Sequence, residues 1–191
     1  MVVVQIMTPE EYKRRASKLN VSYTYCNTPF GKCLLGTIDE AVCHLSFVIK
    51  NDNTSLEYFQ HLWPGAQIAK ESTKLKSIVQ DIFPQDTKLP DDSVRILLRG
   101  TEFQIAVWKA LIALPTGSTT VYEEIAASIG KPKAVRAAAN AIAFNQIAYL
   151  VPCHRVMGKS GSNKYAWGIE VKNNILKYET KCLEWCDKVP E

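Results

Sequence analysis

Residues 148–158 read AYLVPCHRVMG, with a thiol and an imidazole set side by side directly after a proline. A cysteine attacks as its thiolate, and histidine is the side chain best suited to take the thiol proton near neutral pH. In an extended strand successive side chains point to opposite faces, so Cys153 and His154 would be kept apart there. Pro152 fixes its own φ and interrupts a strand ladder, which lets a tight turn or helical step begin at Cys153 and swing both side chains toward one pocket. Direct contact between successive side chains is strained, so the proton is expected to pass through a bound water. A third group should orient the imidazole. Glu179, at the end of the helical segment VKNNILKYE, is the candidate by analogy with other nucleophile–base sites, and spacing alone does not establish it. The competing readings are a metal ligand or a packed thiol.

The rest of the chain must position this centre. Between Val21 and Ile49 the segments VSYTYC, KCLLGTI and AVCHLSFVI are rich in β-branched and aromatic residues, punctuated by Asn27-Thr28-Pro29 with Gly31 and by Asp39-Glu40. This pattern predicts a three-stranded antiparallel meander. Residues 53–61 and 67–82 read as helices, the first capped by Thr54 or Ser55 and the second closing before Pro84. FPQDTKLPDD (83–92) reads as a linker. The fold class is therefore α+β: a scaffold domain over 1–90 with a small antiparallel sheet and helices, then a mostly helical domain over 91–191.

In that second half, GTEFQIAVWKALIAL (100–114) places Phe103, Val107, Leu111 and Leu114 on one helix face, and Pro115-Thr116-Gly117 ends it. A short helix over about 121–129 stops at Gly130, and Pro132 starts a second helix that runs to about residue 143. That is the outline of a helix-turn-helix, which also occurs in proteins that bind no DNA. Ala134, Ala137, Ala138 and Ala141 recur at helical spacing, with Arg136 beside them and Lys131 and Lys133 at the entry. Such a stripe serves either close packing on a neighbouring helix or close approach to a ligand. Arg136, whose guanidinium can bind phosphate or stack on a base, favours the second.

Composition narrows the class. At 47% hydrophobic and 22% charged, the 191 residues are those of an ordinary globular protein with a core to bury. No apolar run approaches the roughly 20 residues of a membrane span. The start, MVVVQIMTPEEYKRR, has the wrong charge order for a secretory signal, so an intracellular protein is expected. Residues 1–98 carry 11 basic and 11 acidic side chains and residues 99–191 carry 12 and 8, so the excess charge lies in the half that holds Cys153 and suits a polyanion. Cysteines 26, 33, 43, 153, 182 and 186 form no CxxC pair and read as reduced thiols. Zinc on Cys26, Cys33, Cys43 and His44 is conceivable, but the irregular gaps fit no common tetrahedral signature, and buried cysteine is preferred. Cys182 and Cys186 fall on a terminal helix.

Taken together, GTEFQIAVWKAL (100–111), VYEEIAASIGKPKAVRAA (121–138), Asn145, PCHRV (152–156), YAWG (165–168) and VKNNILKYE (171–179) resemble the O6-alkylguanine-DNA alkyltransferases. The likeness runs over roughly 95–180, with TPFGKCLLG as a looser match upstream. It implies a ribonuclease-H-like N-terminal domain and a helix-turn-helix domain. It also implies a repair activity that moves an alkyl group from O6 of guanine, and from O4 of thymine, irreversibly and once onto Cys153. The implied partner is double-stranded DNA containing O6-alkylguanine, entered from the minor groove with the damaged nucleotide flipped out. No cofactor, metal or membrane is implied. The expected state is a monomer in the bacterial cytoplasm at the nucleoid, or in the nucleus of a eukaryote.

By matching position, Cys153 is the alkyl acceptor, His154 the water-linked base, Glu179 the holder of His154 and Asn145 the brace of the cysteine turn. Tyr122 resembles the tyrosine that assists base rotation and donates to the guanine ring, and Arg136 the arginine that fills the gap in the duplex. The stripe of Ala134, Ala137, Ala138 and Ala141 then lies against the groove, while Tyr165, Trp167, Ile142 and Val156 line the base pocket. Arg155 is expected to be scaffold. Val121, Ala138, Ala139, Gln146 and Lys164 depart from common forms of the pattern. Trp167 narrows the pocket, so methyl adducts are expected to react in preference to benzyl. Two other classes compete: a non-catalytic lesion-binding relative, which would replace the cysteine, and a cysteine hydrolase, which would need an oxyanion hole and turnover.

Overall fold

The computed structural model describes residues 2–84, 94–159 and 164–186; much of the expected linker, 85–93, lies outside them. Six strands form one sheet: β1 (Val3–Met7), β2 (Asn20–Thr28), β3 (Gly31–Ile38), β4 (Ala41–Phe47), β5 (Gln67–Lys70) and β6 (Arg95–Arg99). Their order is β1-β6-β4-β3-β2-β5. The antiparallel meander is β2-β3-β4. The sheet is nevertheless larger than expected and mixed, because β1 pairs parallel to β6, β6 parallel to β4, and β5 parallel to β2. These three strands are short and carry no clear alternation, so their own pattern does not announce them. Strand β6 also follows position 91 in sequence yet is hydrogen-bonded into the sheet, so the sheet draws on both sides of the expected division.

The first half contains helices α1 (Pro9–Arg15), α2 (Asp52–Leu62) and α3 (Leu75–Ile82). The expected helix over 67–82 is corrected to β5 followed by α3. After Trp63-Pro64 the chain turns at Gly65, with φ of +85°, and brings Gln67–Lys70 to the open edge of β2. Glu71 then accepts the Thr73 and Lys74 N–H groups at 3.0 and 3.3 Å, where a new helix begins. Asn51, one turn earlier than expected, caps α2 by accepting from Thr54 N–H at 2.9 Å. Phe59 of α2 packs so closely on β3 that a Cβ on Gly36 would stand 2.6 Å from its ring.

Strand β4 is buried along its whole length because apolar layers cover both of its faces. Its register against β3 skips Cys43, a bulge that puts Val42 and Leu45 on the same side despite their odd spacing. That side meets the helices of the second half: α4 (Glu102–Ile112), α5 (Tyr122–Ser128), α6 (Val135–Ala143) and α7 (Ile169–Cys186). Helix α4 starts at a Thr101/Gln104 capping box and buries Ile105, Val107, Trp108 and Leu111, with Phe103 and Leu114 only partly covered. Gly130, at φ +70°, makes the turn between α5 and α6; Pro132 lies within that turn, and α6 starts at Val135. One cluster contains Leu45 and Ile96 from the sheet, Val107, Ile125 and Ala138 from successive helices, and Ile175 from α7. The two halves therefore share a core.

Candidate active site

Two connections place the Cys153 segment. Leu45 of β4 donates to Gln146 O at 2.9 Å and accepts from Ala148 N–H at 2.8 Å, tying residues 146–148 to the sheet. A two-stranded parallel pair, β7 (Thr120–Val121) with β8 (Val156–Met157), ties the far side to the start of α5. Between them the backbone is tightly folded. Leu150 N–H bonds Ala148 O across Tyr149, whose φ of +68° is unusual for a residue with a side chain. Cys153 N–H bonds Val151 O at 2.7 Å across Pro152, which sits at φ −79°, ψ 62° in an inverse γ-turn. A single 3₁₀ turn, Cys153–Arg155, follows.

This turn sends the two neighbouring side chains to different partners. The Asn145 amide donates to Val151 O at 2.9 Å and to Cys153 Sγ at 3.1 Å, while its carbonyl accepts from Ile147 N–H at 3.0 Å. His154 Nε2 lies 2.8 Å from Glu179 Oε1, with both groups shielded from solvent. Arg155 donates to the same carboxylate, from Nη2 at 2.7 Å and from Nε at 3.1 and 3.2 Å, and also to Leu114 O at 2.6 Å. Gly117 N–H adds a further donor at 3.1 Å. Burial by itself would raise the Glu179 carboxyl, but the hydrogen bonds from His154 and Arg155 overcome it and bring it down to about 2.

An ionised carboxylate only accepts, so Nε2 carries the imidazole proton and Nδ1 holds the lone pair. Burial lowers the basicity of His154, with Glu179 opposing that effect, and the ring rests neutral. Its Nδ1 is buried without a partner among the described residues. Burial pushes the Cys153 thiol up to about 11, against the Asn145 hydrogen bond and the positive charge of Lys172. Lys172 is a residue the sequence reading missed: 1% exposed, it donates from Nζ to Val156 O at 2.7 Å. The missed signal is its spacing, since Lys172, Ile175, Glu179 and Cys182 form one buried stripe of α7.

Two of the aromatic candidates, Tyr122 and Tyr165, lie close enough to the thiol to feel its charge. Tyr122, half-buried at the start of α5, has its hydroxyl raised by burial and then by Cys153. Burial and Cys153 likewise raise the Tyr165 hydroxyl. Trp167 packs edge-on to Tyr165 at 5.1 Å and to Phe47 at 6.2 Å. Val156 and Ile142 are both buried in the main core. The alanine stripe divides: Ala138 and Ala141 are buried at 0% and 3%, and the Ala141 carbonyl accepts from Trp108 Nε1 at 2.9 Å. Their expected place against DNA is corrected to packing beneath α6. Lys133, Arg136, Ala137, Asn140, Ala143 and Phe144 form the exposed side, with Ala134 half-buried beside it. Cys33 and Cys43 lie in clusters on opposite faces of the sheet, so they do not meet at one metal. No group of three or more potential metal ligands occurs among the described residues.

Fold and site together define an α/β protein with a buried thiol beside a carboxylate-held imidazole, under a helical layer with a basic exposed side. Residues 102–181 match the family described as 6-O-methylguanine DNA methyltransferase, DNA binding domain. The chain is 35% identical over 162 residues to a methylated-DNA–protein-cysteine methyltransferase of Methanosarcina barkeri, covering 84% of this chain and 98% of that one. It is 33% identical over 180 residues to the bifunctional transcriptional activator/DNA repair enzyme Ada of Escherichia coli, covering 92% of this chain and 50% of that one. The chain thus spans about half the length of Ada. The crystal structure of Mycobacterium tuberculosis OGT in complex with DNA matches with a TM-score of 0.65 and 30% identity, covering 84% of this chain and 94% of that one. The chain belongs to the methylated-DNA–protein-cysteine methyltransferase family.

Proposed function

We propose that this chain is a single-use DNA repair protein that transfers a methyl group from O6 of guanine, and from O4 of thymine, in duplex DNA onto Cys153. One observation carries the reading: Glu179 holds His154 Nε2, which leaves Nδ1 as a lone pair with no partner among the described residues, on the residue that follows an Asn145-tethered thiol. A thiol with a pKa of about 11 is almost wholly protonated at pH 7, and ionising it costs on the order of 5 kcal/mol. The base is therefore needed at the moment of reaction. A water bonded to Nδ1 takes the thiol proton, and the imidazolium that results is stabilised by Glu179. The thiolate attacks the methyl carbon, the S–C bond forms as the C–O6 bond breaks, and the electron pair leaves with the purine. Tyr122 donates to the purine ring as negative charge develops there. The product is a thioether, which no thiol exchange reverses, so each chain acts once.

Binding is assigned to the exposed side of α6 and its entry, where Lys133 meets phosphates and Arg136 fills the gap left by the flipped nucleotide. The DNA complex of the Mycobacterium tuberculosis relative supports a DNA partner. Residues 1–90 act as the scaffold and 91–191 as the DNA-reading, alkyl-accepting part. No helix among the described residues is long and apolar enough to cross a membrane, and the site of action is the nucleoid or nucleus.

Intact-protein mass measured after mixing with an O6-methylguanine duplex tests this. One methyl group per chain is expected, located on Cys153, with none on a Cys153→Ala variant that still binds the duplex. Repeated turnover would identify a hydrolase, and binding without any mass gain would identify a lesion sensor. Either result overturns the proposal.

A further inference from the structure

The proposed repair step leaves a pair of thiols unused. Cys26 and Cys33 stand directly opposite each other in the β2/β3 register, two pairs back from the closing pair Thr28↔Gly31. Their Sγ atoms are 3.0 Å apart. Residues opposite in an antiparallel pair have Cα atoms about 4.5–5.5 Å apart and side chains on one face. A disulfide needs about 4.4–6.8 Å, so this backbone can accept the bond without rearranging. Access is unequal: Cys33 is fully buried, while Cys26 is partly exposed.

We propose that Cys26 and Cys33 form a thiol–disulfide exchange site whose substrate is a low-molecular-weight disulfide of the glutathione class. Cys26, the reachable sulfur, attacks one sulfur of the small disulfide. A mixed disulfide forms on Cys26 and one thiolate leaves. Cys33 then attacks Cys26 Sγ, the Cys26–Cys33 bond forms, and the second small thiol leaves. Two protein thiols are oxidised, one small disulfide is reduced to two thiols, and the two cysteine protons end on those thiols. The hydrogen bond from Cys33 lowers the Cys26 pKa, and that bond and burial raise the Cys33 pKa, which matches the roles of attacking and resolving sulfur.

The position gives the bond a route to the repair centre. Phe30, at the tip of the same hairpin, packs on Tyr149 at 5.4 Å and on Tyr178 at 5.3 Å, and Tyr149 stacks over His154 at 6.4 Å. Closing the pair cross-links the strands directly behind that aromatic contact.

The test uses the full chain carrying Cys153→Ala, which removes the competing nucleophile, titrated with oxidised glutathione. The expected result is loss of two hydrogens from the intact mass, no retained glutathione, a peptide cross-link between Cys26 and Cys33, and full reversal by dithiothreitol. Cys33→Ser should instead stop at a glutathione adduct on Cys26, and Cys26→Ser should show neither product. Retained glutathione on Cys26 of the chain with Cys33 intact overturns the proposal, as does a cross-link to another cysteine or no change. Peptide mapping of the chain with both cysteines decides the matter even where a serine variant fails to fold. Methyl transfer by the wild-type chain is a separate readout, so failure here leaves the repair reading standing.

Discussion

Glu179 Oε1 accepts from His154 Nε2 at 2.8 Å and from Arg155 Nη2 at 2.7 Å, so one buried oxygen serves two successive residues of the Cys153 turn. The contact joins α7 to the turn and fixes which imidazole nitrogen holds the lone pair. It also means that Arg155, a scaffold residue by expectation, shares the carboxylate that orients the His154 imidazole.

Glu179→Gln separates those roles from simple bulk. The amide keeps the shape but loses the charge that pairs with Arg155 and stabilises an imidazolium. Removing one partner of a buried ion pair costs about 3–5 kcal/mol. The expected outcome is a fall in stability of that order in urea unfolding, together with methyl transfer slowed about a hundredfold. An unchanged transfer rate in the folded variant would remove Glu179 from the mechanism.

Stability should be lost toward acid. The Glu179 carboxyl is depressed to about 2 from 4.5, so its contribution is complete above pH 4.5 and disappears as pH falls toward 2. His154 adds to the same trend: its folded pKa is lowered, so below 6.5 the unfolded chain binds a proton the folded chain refuses. Cys153 acts at the other end. Its pKa is raised to about 11 from 9.0, so the unfolded chain ionises first and stability falls as pH climbs from 9 to 11. Urea midpoints across pH 3–11 should show both limbs, with Cys153→Ala removing its own alkaline contribution and Glu179→Gln flattening the acid one.

Lys172→Met tests whether a buried ammonium assists the thiol. Lys172 lowers the Cys153 pKa and is itself held on Val156 O. Its loss should move the pH profile of Cys153 alkylation by iodoacetamide upward and slow methyl transfer about tenfold. A lysine that only packs would change stability and leave that pH profile in place.

The pairing of His154 with Glu179 next to Cys153 was legible because the expected chemistry restricts residue type and because the motifs lie in continuous blocks. The meander was legible for a similar reason, since its strands carry their own turn residues. The parallel strands were not, because Gln67–Lys70 and Arg95–Arg99 become strands only by docking on an existing edge. Lys172 was hidden by its type: a lysine on a helix is ordinarily a solvated residue. The alanines were ambiguous because a small side chain serves groove and core equally well, and only burial separates Ala137 from Ala138.

That separation makes α6 testable. Ala138→Leu should destabilise the fold by about 1–3 kcal/mol through overpacking, whereas Ala137→Leu should leave stability nearly unchanged and weaken reaction with duplex DNA. Arg136→Ala should slow reaction in a duplex about tenfold or more and leave reaction with free modified guanine unchanged. Equal losses on both substrates would mark Arg136 as structural.

Trp167 should set which adducts fit. Its ring packs against Tyr165 on one side and Phe47 on the other, and Tyr165 itself reaches the Cys153 thiol, so the indole is expected to restrict the room left for a larger alkyl group. The wild-type chain should react with an O6-methylguanine duplex much faster than with free O6-benzylguanine. Trp167→Gly removes the ring and should raise the benzyl rate about tenfold or more relative to the methyl rate, at a stability cost of a few kcal/mol from the cavity. Comparing both substrates in one variant controls for that cost, because loosening of Tyr165 would slow both reactions alike. A wild-type chain inactivated equally fast by both substrates would show that the indole does not limit the pocket.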